Sequence, residues 1–519
     1  MSEKEYIVTL NKDVDYEAFD AEMVATTGAG AIPNRSPTVT NARPASKRNT
    51  HYMLTDEEAQ ALATDARVMA VEIPPDQRDD LEIGLSAIQD GTFTKTTSDT
   101  TDFLNWGMRR CNEAINPYGA GLTAPGGYNY TLDGTGVDVV IQDSGIQADH
   151  PEWEDAAGNS RLQQIDWYDG YSGGGSMPTG HYADYHGHGT HVAGTVAGKK
   201  YGWAKNARIY AVKVNGLQGS GDPNSGIPVS DCFDVIKEWH QNKPVDPTTG
   251  VKRPTIVNMS WGYGSYFYDV ASITYRGATT VSPDTTGIYR DTAKGMIGSF
   301  YSVTFGYRFG THVASVDADV DEMIDAGIHV CIAAGNYRQR IDVPGGIDHD
   351  NYWTSSSNGS DYYYHRGSSP FSDRAFIVGN IDSTINADSL EQKASSSECG
   401  PGVNIWAPGT DIISACSNTS EIGGTGVYPD DNNFKIANIG GTSMASPQVA
   451  GVAALYAQLE PSSTPAELKA WVTDQSRSAQ IHTTNLGNDY TDDRSISEST
   501  GGFLYNPFNI SYKLRITDA

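Results

Sequence analysis

Four short segments of the chain carry residue types suited to nucleophilic chemistry. Asp143 closes the apolar run Val139-Val140-Ile141 and is followed by Ser144-Gly145. His186-Gly187-His188-Gly189-Thr190-His191 opens a helical pattern. Ala333-Ala334-Gly335-Asn336 ends another apolar run with a side-chain amide. In Gly440-Gly441-Thr442-Ser443-Met444-Ala445-Ser446-Pro447, Ser443 sits between a glycine turn and a helix expected to hold Pro447 in its first turn. A serine hydroxyl is a weak nucleophile. It needs a base to take its proton, and the base needs a third group to fix its tautomer and stabilise its cation. Ser443, His188 and Asp143 are the right types. A helix start at Ser443 would lend backbone N–H groups to an oxyanion, and Asn336 is a suitable second donor. Singly, an Asp ending a strand is a turn or cap, and Gly-Thr-Ser before a helix is an N-cap. Together the four segments fit a catalytic centre better than four coincidences.

The elements that must position them follow from the pattern of apolar residues. Strands are expected at 136–141, 207–214, 255–259, 328–333 and 375–378, with helices near 191–198, 229–240 and 314–326 between them. This alternation predicts an α/β fold, a parallel sheet flanked by helices, whose loops at the carboxyl ends of the strands hold the site. A small α+β unit precedes it. Tyr6–Leu10 and Val68–Ile73 are strand-like, and Thr55-Asp56-Glu57-Glu58 is a capping box before Ala59, Leu62 and Ala63. The expected organisation is a unit over 1–80, a polar linker over 81–104 and a main domain over 105–519. The main domain has insertions near 264–312 and 340–372.

Composition narrows the function classes. The chain has 519 residues, 38% of them apolar, enough for a sizeable core. Its 64 acidic and 36 basic residues give a net charge of −28, which repels phosphate backbones and argues against nucleic-acid binding. No apolar run approaches a membrane span. Met1–Val8 carries neither the basic start nor the apolar run of a secretory signal. An extracellular, intracellular or virion-associated protein therefore all remain open. The five cysteines are odd in number and contain no CxxC, so neither a disulfide scaffold nor a zinc ribbon is expected. Cys399 and Cys416 are the only nearby pair, and Cys331 reads as a buried hydrophobe.

Asp143-Ser144-Gly145, His188-Gly189-Thr190-His191-Val192-Ala193-Gly194-Thr195 and Gly441-Thr442-Ser443-Met444-Ala445-Ser446-Pro447 resemble the three signatures of the subtilisin-like serine proteases, in that family's order. The resemblance spans about 105–475. The short connection Gly198–Ala204 is similar to the proteinase K branch. It implies a serine endopeptidase acting through an acyl-enzyme. Ser443 would be the nucleophile, His188 the base and then the acid, and Asp143 its orienting partner. Asn336 and the Ser443 N–H would form the oxyanion hole. Gly219-Ser220-Gly221 and Ser260-Trp261-Gly262 match the two segments that sandwich an extended peptide substrate. Trp261 with Ala333-Ala334-Gly335 would line the primary pocket. Residues 1–75 look like the family's inhibitory propeptide, a partner in cis beside protein or peptide substrates, and the linker would contain the maturation junction.

The sequence also departs from the family. The insertions flank the substrate region. No cofactor is required for the chemistry. Structural calcium stays possible, but the family's sites are not matched: the connection after His191 is short, and Asn404 stands where the proteinase K branch has an aspartate. Glu152 could still bind calcium. Two rival readings stay open. His186-x-His188-x-x-His191 has zinc-ligand spacing, though it has Thr190 where such a cluster wants an aspartate, and it leaves Ser443 and Asn336 without a role. A catalytically silent protease-like binding module is the other.

Overall fold

The apolar residues gather into two main cores, one built from residues 6–68 and one from residues 106–508. The computed structural model describes residues 3–25, 35–43, 45–85, 106–116, 130–166, 177–281, 290–302, 306–386, 388–477, 481–483, 496 and 498–508.

The first core belongs to a four-stranded antiparallel sheet with two helices. Its strands are β1 (Lys4–Leu10), β2 (Val39–Asn41), β3 (Asn49–Leu54) and β4 (Val68–Glu72), in the order β2-β3-β1-β4. Helix α1 (Tyr16–Met23) buries Phe19 and Met23. In α2 (Asp56–Leu62) the expected capping box forms: Thr55 accepts from the Glu58 N–H, and Glu58 reaches back to the Thr55 N–H. A short strand β5 (Glu82–Leu85) follows. It occupies the start of the expected linker, and 86–104 lies outside the described residues.

Further along come α3 (Trp106–Cys111), β6 (Asp138–Asp143), β7 (Leu162–Gln164), α4 (His188–Ala197), β8 (Arg208–Lys213), α5 (Val229–Asn242) and β9 (Thr255–Met259). The first insertion holds β10 (Trp261–Tyr266), β11 (Val270–Tyr275), β12 (Ala278–Val281), β13 (Ser299–Ser302) and β14 (Gly306–Gly310). Next are α6 (Ala314–Asp325) and β15 (His329–Ala333), then β16 (Tyr352–Ser355) and β17 (Asp361–Tyr363) of the second insertion. The chain continues through β18 (Phe376–Ile385), β19 (Glu391–Lys393), β20 (Ile405–Pro408) and β21 (Ile412–Cys416). It ends with β22 (Thr425–Val427), β23 (Lys435–Ile439), α7 (Thr442–Leu459) and α8 (Pro465–Gln475).

The central sheet runs β19-β18-β15-β9-β6-β8-β7 with β20 beside β18, parallel except at β19. This is the expected α/β architecture. β6 is buried at all six positions, as a strand covered on both faces must be. All five cysteines are buried and none is bridged to another, Cys399 and Cys416 included.

The two insertions meet. β11 of the first pairs with β16 of the second in a sheet ordered β12-β11-β16-β17. Phe267, Ile273, Phe309, Trp353 and Tyr364 form a separate aromatic core beneath it. A second small sheet runs β13-β14-β10-β5, so β5 adds to the free edge of β10. Among the described residues, no helix is long and apolar enough to cross a membrane.

Candidate active site

Asp143 ends β6 and His188 begins α4, and the sheet brings them together. His188 Nδ1 lies 2.8 Å from Asp143 Oδ1, with both side chains wholly buried. The close approach needs Gly189: a Cβ there would stand 2.2 Å from the Gly145 carbonyl and 3.2 Å from Asp143 Oδ1. Asp143 Oδ1 also accepts from the Ser144 N–H, which fixes the carboxylate's angle.

Ser443 lies in the first turn of α7. Pro447 falls one turn later than expected, inside the helix. Proline has no N–H for the carbonyl four residues earlier, and that carbonyl belongs to Ser443. The Ser260 hydroxyl donates to it instead, at 3.0 Å. Asn258 Nδ2 donates to Ser260 Oγ, and the Ser446 hydroxyl donates to Asn258 Oδ1. A buried polar chain thus ties β9 and β10 to the nucleophile's helix. The Ser443 hydroxyl donates to the Ser260 carbonyl at 2.9 Å, while His188 Nε2 is buried without a hydrogen bond among the described residues. The Asp–His contact is therefore formed, and the Ser–His contact requires the Ser443 side chain to turn away from Ser260.

Asn336 follows β15. Its Oδ1 accepts from the Thr442 N–H at 3.1 Å, which places the amide next to Ser443. The Thr442 hydroxyl also accepts from the Gly335 N–H. Behind the loop lies Glu398, which the sequence did not single out. Its N–H donates to the Gly335 carbonyl at 3.0 Å. Burial pushes its carboxyl well above the ordinary range, against the pull of the Gln339 and Tyr337 N–H groups. Asp184 was also missed. Buried, it accepts from the backbone N–H groups of His186, Gly187 and Thr190 and from the Ser144 hydroxyl, capping the start of α4 just before His188. The signal was present: an acidic residue four positions ahead of a helix start, within reach of its first N–H groups.

The other histidines go elsewhere. His191 is buried in α4 with Nε2 on the Ile412 and Ala437 carbonyls, and burial holds its pKa down at about 3. His186 sits in the loop before α4, its pKa lowered by burial and by His188. The three imidazoles do not converge, and among the described residues no His/Cys/Asp/Glu group is placed to hold a metal. Glu152 is committed otherwise: it accepts from the Lys200 and Tyr201 N–H groups and the Tyr428 hydroxyl. Asn404 spends its amide on Ile377 N–H and the Ala375 carbonyl.

The substrate-binding segments differ in form. Ser260 precedes β10, and Trp261 and Gly262 begin it. β10 pairs antiparallel with β5 in the register Trp261↔Leu85, Gly262↔Gly84, Tyr263↔Ile83, Gly264↔Glu82. Trp261 is fully buried, its ring edge-on to Tyr263 within the main core, so its backbone serves β5. Gly219-Ser220-Gly221 forms a turn, not a strand, with the Ser220 N–H on Glu421. Its glycines suit a turn, which is why the segment does not extend alongside β5. Ala333 and Ala334 are buried at the end of β15 beside Gly335.

The family model described as the subtilase family matches residues 134–495, which include Asp143, His188, Asn336 and Ser443. The chain belongs to the subtilase family. This subtilase is 29% identical over 339 residues to the subtilisin-like serine protease Pen c 2 of Penicillium citrinum, covering 64% of this chain and 51% of that protein. It is 27% identical over 413 residues to the extracellular serine proteinase of Thermus sp. (strain Rt41A), covering 80% and 67%. The chain thus spans about half the length of the Penicillium relative. The structure of fervidolysin from Fervidobacterium pennivorans superposes with a TM-score of 0.53 at 17% identity, over 97% of this chain and 60% of that one. At that identity the likeness is one of fold.

Proposed function

We propose that this subtilase is a serine endopeptidase that hydrolyses peptide bonds through an acyl-enzyme and is made as a self-inhibited zymogen. Ser443 attacks the scissile carbonyl, His188 takes and returns the proton, and Asp143 holds the imidazole and stabilises its cation. Asn336 and the Ser443 N–H receive the oxyanion. The short Gly198–Ala204 connection supports a place in the proteinase K-like branch.

The observation that carries the zymogen reading is β5. It lies on β10 as a substrate would, by main-chain pairing that tolerates many side chains. The unit before it is docked through buried polar contacts. Arg43, wholly buried, donates to Asp234 at 3.1 Å and to Asp319 at 2.7 Å. The Glu72 carboxylate accepts from the Ala314 and Ser315 N–H groups at the start of α6, a helix with no side-chain cap of its own. Residues 1–80 then act as inhibitor and folding template, and the chain is cut beyond them. Comparing full-length wild type with Ser443→Ala tests this. Wild type should be cut within 74–105 and take up a fluorophosphonate, and the variant should do neither. An unlabelled, uncut wild type would favour the silent binding module.

A further inference from the structure

The β10 edge does not stop where β5 stops. Tyr266 ends β10, and beyond Glu82 the preceding residues Asp79–Leu81 run on past Ser265 and Tyr266. They form one wall of a cleft of about 500 Å³. The opposite wall comes from both insertions: Tyr266, Tyr268 and Tyr301 from the first, Trp353, Asn358 and Tyr362 from the second. These aromatics are arranged, not scattered. Tyr266 and Tyr301 sit 5.3 Å apart, and Trp353 stacks on Tyr362 at 4.5 Å and 12°. Tyr268 and Tyr301 nevertheless stay 47% and 52% exposed. Trp353 is only 2% exposed, and its indole N–H has no acceptor among the described residues. Tyr362 and Asp80 line the same cleft from opposite walls. Among the described residues, no charged side chain lines the enzyme's side of the cleft, although the whole chain carries −28.

We propose that the two insertions together build an extended substrate groove, which binds the polypeptide six or more residues upstream of the cut. The position follows from the ladder. The Ser443 hydroxyl reaches the Ser260 carbonyl, so an antiparallel chain in the β5 frame presents its reacting carbonyl opposite Ser260. The residue opposite Gly264 is then the fifth upstream, and the next two enter the cleft. Rigid aromatic walls with hydroxyl tips bind a varied extended chain at low entropic cost. The neutral walls leave either charge tolerated. The ligand is thus an unfolded or loop segment of a protein in preference to a short peptide. The occupant in this structure is the chain's own Asp79–Leu81, which must leave first.

This inference rests on the endopeptidase reading, and the test separates the two. The active enzyme obtained from the full chain is assayed on two quenched peptides. They share the cleavage sequence and end four or eight residues upstream of the cut. In wild type, kcat/KM for the longer should exceed that for the shorter by at least about tenfold, the order expected of one or two aromatic contacts. In the double variant Tyr268→Ala/Tyr301→Ala that ratio should fall towards one. Both tyrosines are half-exposed, and activity on the shorter peptide reports that the variant is folded. A ratio near one in wild type, or a ratio unchanged in the variant, would overturn the groove while leaving the peptidase intact. Failure to cleave either peptide would overturn the endopeptidase reading itself.

Discussion

Arg43→Ala should loosen the N-terminal unit from the catalytic unit without unfolding either. The guanidinium is wholly buried between two carboxylates that both come from the catalytic unit, Asp234 on α5 and Asp319 on α6. Removing it leaves two buried acids with only the Lys237 ammonium, 3.6 Å from Asp234 Oδ1, as a nearby countercharge among the described residues. Breaking a buried ion pair from one side costs about 3–5 kcal/mol. At about 1.4 kcal/mol per tenfold, that is roughly a 10²- to 4 × 10³-fold loss of affinity. One feature trims the figure. Burial, with help from Asp234 and against Arg43, has already pushed the Asp319 carboxyl up to about 7, so it can take a proton once the cation is gone. A loss of about 100-fold at neutral pH is therefore expected. The assay is inhibition of the mature enzyme by a separate 1–80 fragment, wild type against Arg43→Ala, with a fluorogenic peptide as reporter. Circular dichroism should show both fragments equally folded, because the fragment's core of Tyr6, Val8, Phe19, Met23, Tyr52 and Leu54 does not involve Arg43. If the two fragments inhibit within threefold of each other, the buried pair does not hold the interface and the argument fails.

Further outcomes are expected. Ser443→Ala should lower turnover by about 10⁶, the size established for the nucleophile of subtilisin and not a figure worked from this structure; a variant keeping a tenth of wild-type activity would mean the nucleophile is another residue. Asn336→Ala should lower kcat by about 10²–10³-fold with KM little changed, again the subtilisin magnitude; a change confined to KM would make Asn336 a substrate contact. Docking should weaken as pH rises. Asp319 stands at about 7 when docked, against about 3.9 for an exposed aspartate. Its contribution is whole below the lower value and is lost as pH climbs through the upper one. Burial raises Glu72 as well, in the same sense. Inhibition by the fragment should therefore fall between about pH 4 and 7, and Asp319→Asn should flatten most of that slope; an unchanged slope in the variant would show that other groups set it.

What the sequence by itself determined was local. Asp143 ends a strand, Asn336 follows one, and His188 and Ser443 stand in the first turns of helices, and such strand-end and helix-start patterns are written in neighbouring residues. The capping box at Thr55 and the strand β1 were legible for the same reason. Tertiary structure decided whatever depends on partners far away in the chain. Nothing near Arg43 indicates that it will be buried between residues 191 and 276 positions away. Nothing near Glu72 indicates that it will cap a helix more than 240 residues later. Glu398 acquires its role only when the remote Gln339 and Tyr337 backbone donors turn towards it. Composition sets segments 264–312 and 340–372 apart but does not say that they pair with each other, because antiparallel register between remote strands is set by packing and not by either strand's own residues.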